Sequence, residues 1–141
     1  MANFRHLLVP VDFSEANRIA LDIAKRMALQ NIARVTLLHV IETIDYVIDD
    51  EVDAFYETLK LRSQEKLHLL SKTLREEKLS VDEKLVMGKR ARGIVSFAVQ
   101  NDVDLVVMSS HKLDPNEPRS GFGSISHQVS VFCPCAVLLV K

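Results

Sequence analysis

Short, nearly continuous apolar runs alternate along this chain with segments whose hydrophobic residues recur every three or four positions. That alternation constrains the fold more than any other feature. The run at 6–11 (HLLVPV) suits a strand buried on both faces, 34–41 (RVTLLHVI) a second strand, 104–109 (DLVVMS) a buried fourth and 136–140 (AVLLV) a fifth, and 80–86 (SVDEKLV) is a weaker, imperfectly alternating third strand. Pro10 cannot donate to a sheet ladder, so regular pairing of the first strand should falter there. Between the runs, Ala16, Ile19, Ala20, Ile23, Ala24 and Met27 mark one face of a helix, with Ser14 a suitable N-cap. Val52, Phe55, Leu59, Leu61, Leu67, Leu70 and Leu74 mark a second helix over 51–77. A polar turn at 87–93 leads to a short third helix that begins with Ile94, Val95, Ala98 and Val99, and 124–132 is the fourth. The order β-α-β-α-β-α-β-α-β predicts an α/β fold, a parallel sheet with helices on both faces and right-handed crossovers.

At 141 residues the chain suits one domain with one core. Net charge is −1 and the Lys and Arg residues are scattered, which argues against nucleic acid as a partner. No apolar run approaches the roughly 20 residues of a membrane span, and the start of the chain lacks the layout of a signal peptide, so a cytoplasmic protein is expected. The acidic run at 49–53 suits a solvated loop or helix start better than a cation site. Cys133 and Cys135 flank Pro134; two soft ligands do not fill a tetrahedral zinc site, and buried free thiols are the expected state.

Open α/β sheets bind ligands at the carboxyl ends of strands, where strand order reverses. Three segments sit at such ends, namely Pro10-Val11-Asp12, His39-Val40-Ile41, and Ser109 onward, and together they make one candidate site. After the fourth strand an irregular stretch with two prolines leads to Gly121-Phe-Gly-Ser-Ile-Ser126, a turn opening a helix. A helix start presents unpaired amides and the positive end of a dipole, and glycine lets an anion come close. The chain is therefore expected to hold something phosphorylated. Asp12 is placed to accept from an adenine amino group or a ribose hydroxyl, or to help hold a metal; a capping carboxylate is the competing role. Ser124 and Ser126 can donate to phosphate while also capping, and Lys112 and Arg119 can neutralise it or stand as solvated cations. His111 and His127 are too few for a metal site, and His39 suits a hydrogen-bonded core residue. No Walker-type phosphate loop, dinucleotide fingerprint or G-x-S-x-G elbow is present.

Four stretches carry a wider resemblance: Leu8-Val-Pro-Val-Asp-Phe-Ser-Glu15, Leu37-Leu-His-Val40, Val103-Asp-Leu-Val-Val-Met-Ser-Ser-His111, and Gly123-Ser-Ile-Ser126 followed by Cys133-Pro-Cys-Ala-Val-Leu-Leu-Val140. Over essentially its full length the chain resembles the universal stress protein family. The likeness implies a five-stranded parallel sheet of order 3-2-1-4-5, of the adenine nucleotide alpha hydrolase-like kind, and a homodimer joined through the last strand. It implies a stress-response sensor or regulator that binds ATP or another adenine nucleotide, with or without magnesium, and that is at most a slow ATPase. The binding positions on this reading are Pro10, Val11, Asp12, Val40, Ser109, His111, Lys112, Gly123, Ser124, Ile125 and Ser126. Asp12 and Val40 would meet adenine and ribose, and Gly123 to Ser126 the phosphates. Nucleotide-binding members carry G-x-x-G, nine residues, then G-[ST]; here Gly123-Ser124 matches, Ser109 and Lys112 stand at the first two glycine places, and the loop is one residue longer. A dimeric interaction module that has lost its nucleotide is the alternative.

Overall fold

The computed structural model describes residues 3–43, 50–110 and 124–141. Five strands and four helices alternate as β1 (His6–Pro10), α1 (Asn17–Asn31), β2 (Arg34–Glu42), α2 (Asp50–Glu76), β3 (Ser80–Gly88), α3 (Arg90–Gln100), β4 (Leu105–Ser109), α4 (Ile125–Phe132) and β5 (Ala136–Val140). The sheet order is β3-β2-β1-β4-β5, and every pairing is parallel.

Period-two alternation sorts each central strand between two cores. Leu7, Val9, Val35, Leu37, Leu105 and Val107 face Ala20, Ala24 and Ala28 of α1 and Leu67 and Leu74 of α2. Leu8, Leu38, Val40, Val106 and Met108 face Ile94 and Ala98 of α3 and Val129 of α4. The alanines of α1 let that helix lie close to the sheet, and the continuous apolar runs are explained because both faces are covered.

The break expected at Pro10 shapes the molecule. Val11 N–H donates to the Leu38 carbonyl at 2.9 Å, toward β2, so the donor that Pro10 lacks would have pointed toward β4. Accordingly β1 pairs with β2 through Pro10↔Leu38 but with β4 only at Leu7↔Leu105 and Leu8↔Val106. Beyond that point the two strands part, at the place where the chain's crossovers change direction.

Several boundaries differ from the sequence reading. The third strand runs to Gly88, and α3 starts at Arg90, so the supposed polar turn at 87–93 is mostly strand and helix. Nine consecutive pairs from Arg34↔Ser80 to Glu42↔Gly88 hold that strand despite its polarity, and Gly88, with φ of 143°, makes the sharp exit. Ser14 does not cap α1: Ala16 stands at the N-cap without a side-chain bond. The helical stripe of α2 is buried only in its second half, at Ser63, Leu67, Ser71 and Leu74, whereas Phe55 and Leu61 are solvent-exposed. A helix of 27 residues is about 40 Å long and nine-residue strands about 30 Å, so its first turns overrun the sheet.

Candidate functional site

The parting of β1 and β4 opens a cleft of about 300 Å³ at the carboxyl end of the sheet, near the lower end of the range for small-molecule sites. Eight of the residues singled out from sequence line it: Pro10, Val11, Asp12, Val40, Ser109, Ser124, Ile125 and Ser126. His111, Lys112 and Gly123, like Arg119, lie outside the described residues. Leu38, Ile94 and Met108 give the cleft an apolar floor.

One wall descends from β1. Leaving the strand, the chain makes an Asx turn in which the Ser14 amide donates to Asp12 Oδ1 at 2.9 Å. Phe13, inside that turn, has φ of 65°, a conformation bulky residues rarely adopt. Its ring lies 4.4 Å from that of His39, and Lys66 Nζ stands 5.4 Å above it. The His39 ring donates from Nδ1 to the Val11 carbonyl at 2.7 Å, so this histidine is the hydrogen-bonded residue expected of it. Burial, together with the Arg90 and Lys66 cations, holds His39 below its ordinary pKa against the opposing pull of the Val11 carbonyl and Asp12. At Asp12, desolvation pushes the pKa up but is outweighed by hydrogen bonds from Ser14 and by the Arg90 cation, and the net shift is downward. Asp12 therefore offers an ionised carboxylate at the rim at neutral pH.

Asn17 ties this wall together, and the sequence reading missed it. Almost fully buried, it accepts from the Asp12 amide at Oδ1 (2.8 Å) and donates from Nδ2 to Ser109 Oγ (2.9 Å), which links β1, α1 and β4 across the cleft. An asparagine at the start of an amphipathic segment reads as a solvated helix residue. Only its place among the alanine positions, three before Ala20, hinted that it faces inward. Arg90 was also missed. It opens α3 at the cleft's edge and was hidden in a segment read as a turn.

The other wall is the start of α4. Ser124 is its N-cap, with extended backbone and a hydroxyl that accepts from the His127 amide at 3.2 Å. Ser126 is buried, 3.1 Å from Ser110 Oγ and 3.5 Å from Ser124 Oγ, so three hydroxyls line up along the cleft beside the helix's first turn. First-turn amides have no carbonyl one turn earlier, and the macrodipole adds a partial positive charge there. One crevice thus brings together apolar Val40 and Ile94, a carboxylate acceptor at Asp12, and hydroxyls at Ser124 and Ser126. Among the described residues no group of three or more His, Cys, Asp or Glu could hold a metal ion, and no helix is long and apolar enough to cross a membrane.

Known proteins match nearly the whole length of this chain. Residues 3–141 match the sequence profile described as the universal stress protein family. Universal stress protein YxiE of Bacillus subtilis is 26% identical, over 98% of this chain and 99% of its own. MJ0577 of Methanocaldococcus jannaschii is 28% identical over 98% of this chain and 95% of its own. Its solved structure superposes with a TM-score of 0.86, covering 99% of this chain and 97% of that one. A universal stress protein from Archaeoglobus fulgidus, solved in complex with dAMP, shares the fold with a TM-score of 0.71 and 20% identity, over 99% of this chain and 100% of its own.

Proposed function

Because the chain belongs to the universal stress protein family, we propose that its cleft takes an adenine nucleotide and that the protein serves as a cytoplasmic, nucleotide-linked sensor or regulator of a stress response. One observation carries the reading: an ionised Asp12 and apolar Val40 face the hydroxyl-lined start of α4 across a crevice at the sheet's switch point. Val40 and Ile94 would cover the adenine face, Asp12 would accept from ribose or the amino group, and Ser124, Ile125 and Ser126 would meet phosphate oxygens with hydroxyls and first-turn amides. Arg90, at the rim beside Asp12, adds positive charge. Magnesium, where present, would ride on the nucleotide's own phosphates. That a relative of the same fold was solved with dAMP supports the ligand class. Calorimetric titration with ATP and magnesium tests it. Heat of binding is expected below millimolar ATP, and none at millimolar concentration would overturn the proposal. Phosphate release is expected to stay near background, at most that of a slow ATPase.

The sensor would be a homodimer through β5. That strand is a sheet edge with Leu138 exposed, and Val131 and Phe132 of α4 are exposed too. An uncovered apolar edge invites pairing, and a second copy would cover it. Sedimentation at micromolar concentration should give a dimer; monomer alone would refute this part.

A second reading has its own observation. Ser109, where nucleotide-binding members carry glycine, has its hydroxyl engaged by Asn17 inside the cleft. A protein closed in this way would be a dimeric interaction module without nucleotide. The ultraviolet spectrum of denatured, desalted protein separates the two, since co-purified adenine excludes the module.

A further inference from the structure

The geometry points to a second chemical site, at the end of the fold away from the cleft: Cys133 and Cys135 form a proximal dithiol that closes to an intramolecular disulfide by exchange with a small-molecule disulfide. Both cysteines are free, and their Sγ atoms stand 3.3 Å apart. A disulfide needs about 2.05 Å, so closure asks for an approach of only about 1.2 Å.

Pro134 sets up this arrangement. A residue before proline is driven out of the helical region, and Cys133, with φ of −76° and ψ of 127°, is the extended C-cap that ends α4. Its amide still donates to the Val129 carbonyl at 2.9 Å, which anchors the Cys133 end to the helix. Cys135 sits one residue before β5, whose Ala136 pairs with Leu105. The two sulfurs thus stand between the C-cap of α4 and the residue that leads into the edge strand.

Their surroundings divide the labour. Cys133 is buried in the core between α3, α4 and the sheet, while Cys135 is half-buried and is the sulfur that a reagent can reach. In the first step the Cys135 thiolate attacks one sulfur of RSSR, forming a mixed disulfide and expelling RS⁻. Cys133 then loses its proton to water, and its thiolate attacks the Cys135 sulfur and expels the second RS⁻. Overall, two protein thiols and RSSR give one protein disulfide and two RSH; the dithiol is oxidised and RSSR is reduced. Burial, with the neighbouring Cys133, pushes the Cys135 thiol up to about 12. Closure is therefore slow at neutral pH and accelerates with alkali.

Intact mass and alkylation after incubation with oxidised glutathione at pH 7 and pH 9 test this. The expected product has lost two hydrogens, carries no glutathione, offers no alkylatable thiol after denaturation, runs as a single chain on a non-reducing gel, and forms faster at pH 9. Dithiothreitol should restore both thiols, and Cys133→Ser should trap glutathione on Cys135. Persistent glutathione adducts on the wild type, a chain-to-chain disulfide, or two thiols still alkylatable after incubation at pH 9 would each overturn the proposal. The wild-type measurement decides alone if the variant does not fold.

Discussion

The two walls of the cleft are built on different principles. The β1 wall is closed upon itself: Asp12, Ser14, Asn17, Ser109, His39 and the Val11 carbonyl are linked by hydrogen bonds, and Phe13, at positive φ inside the Asx turn, stacks near His39. The α4 wall is a capped helix start, where the hydroxyls of Ser110, Ser124 and Ser126 lie in a row along the cleft. Strain tolerated where the surroundings over-determine it is a mark of a shaped site. One wall thus fixes the form of the crevice and sets Asp12 at its rim, and the other lines it with hydroxyls and the start of a helix. Substitution of the linking residue Asn17 in the first should show mainly as lost stability, whereas substitution at the start of α4 should also cost affinity.

The largest effect tests the first half of that contrast. Asn17→Ala deletes both cross-cleft bonds and strands the part-buried Asp12 amide, at a cost of about 1–3 kcal/mol in unfolding free energy by denaturant titration. A loss within measurement error would mean that the β1 wall is not held by its polar links. Ser124→Ala comes next, because it removes the cap of a helix of eight residues. It should cost about 1 kcal/mol of stability and about 0.5–1.5 kcal/mol of nucleotide affinity, rising to about 3 if the partner is charged phosphate. Unchanged affinity by calorimetry would remove α4 from the binding surface.

Acid should act on the β1 wall through His39, with a smaller effect. Its folded pKa lies below the ordinary 6.5, so on acidification the unfolded chain takes up the proton first. The stability it contributes is complete above about pH 6.5 and is lost as pH falls through the folded value. Asp12, shifted below 3.8, behaves alike in stronger acid: its contribution is present above the unfolded value and lost as pH falls through the folded one. His6 has the same sign at the far end of the sheet, where its ring bonds Thr36 Oγ1 at 2.7 Å and the Asn101 carbonyl at 2.9 Å. Thermal unfolding from pH 7 to 5 should therefore show a falling midpoint, and His39→Gln should flatten the fall without abolishing it. An unaltered slope in that variant would detach the cleft's His39 from the titration and leave His6 as the one described histidine with a lowered pKa to account for the fall.

The contrast between the walls also explains what the sequence could tell. Apolar runs disclosed four of the strands, most plainly β1, β2 and β4, whose burial on both faces leaves little room for polar residues; β3 was legible only as a weaker alternating segment, and Pro10 showed where the regular pairing of β1 falters. Asp12, Val40, Ser124 and Ser126 were legible because each stands next to a strand end or helix start. Asn17 and Arg90 were not, since their roles come from neighbours far along the chain: Ser109 for one, the Asp12 rim for the other. The turn read over 87–93 failed for the same reason. Lys89 and Arg90 look solvated locally, but Met87 and Gly88 extend the pairing with β2 and Arg90 opens α3. The first half of α2 shows the converse, for Phe55 and Leu61 carry the right spacing but extend past the sheet they were expected to meet.

A control at the opposite end sharpens the comparison by leaving both walls untouched. Ile32 caps α1 in the left-handed region with φ of 53° and is 94% exposed, yet it is β-branched. Like Phe13 it sits at positive φ, but no ring, cation or core packing holds it there. The left-handed conformation costs an L-residue about 1–2 kcal/mol, and glycine removes that strain while giving back about 0.4–1 kcal/mol through the freer unfolded chain. Ile32→Gly keeps the amide that donates to the Ala28 carbonyl, so a net gain of about 0.5 kcal/mol in unfolding free energy is expected. Nucleotide affinity should not move. If affinity changed with it, the crevice would respond to global stability rather than to its own walls, and the losses predicted for Asn17 and Ser124 would no longer report on separate functions.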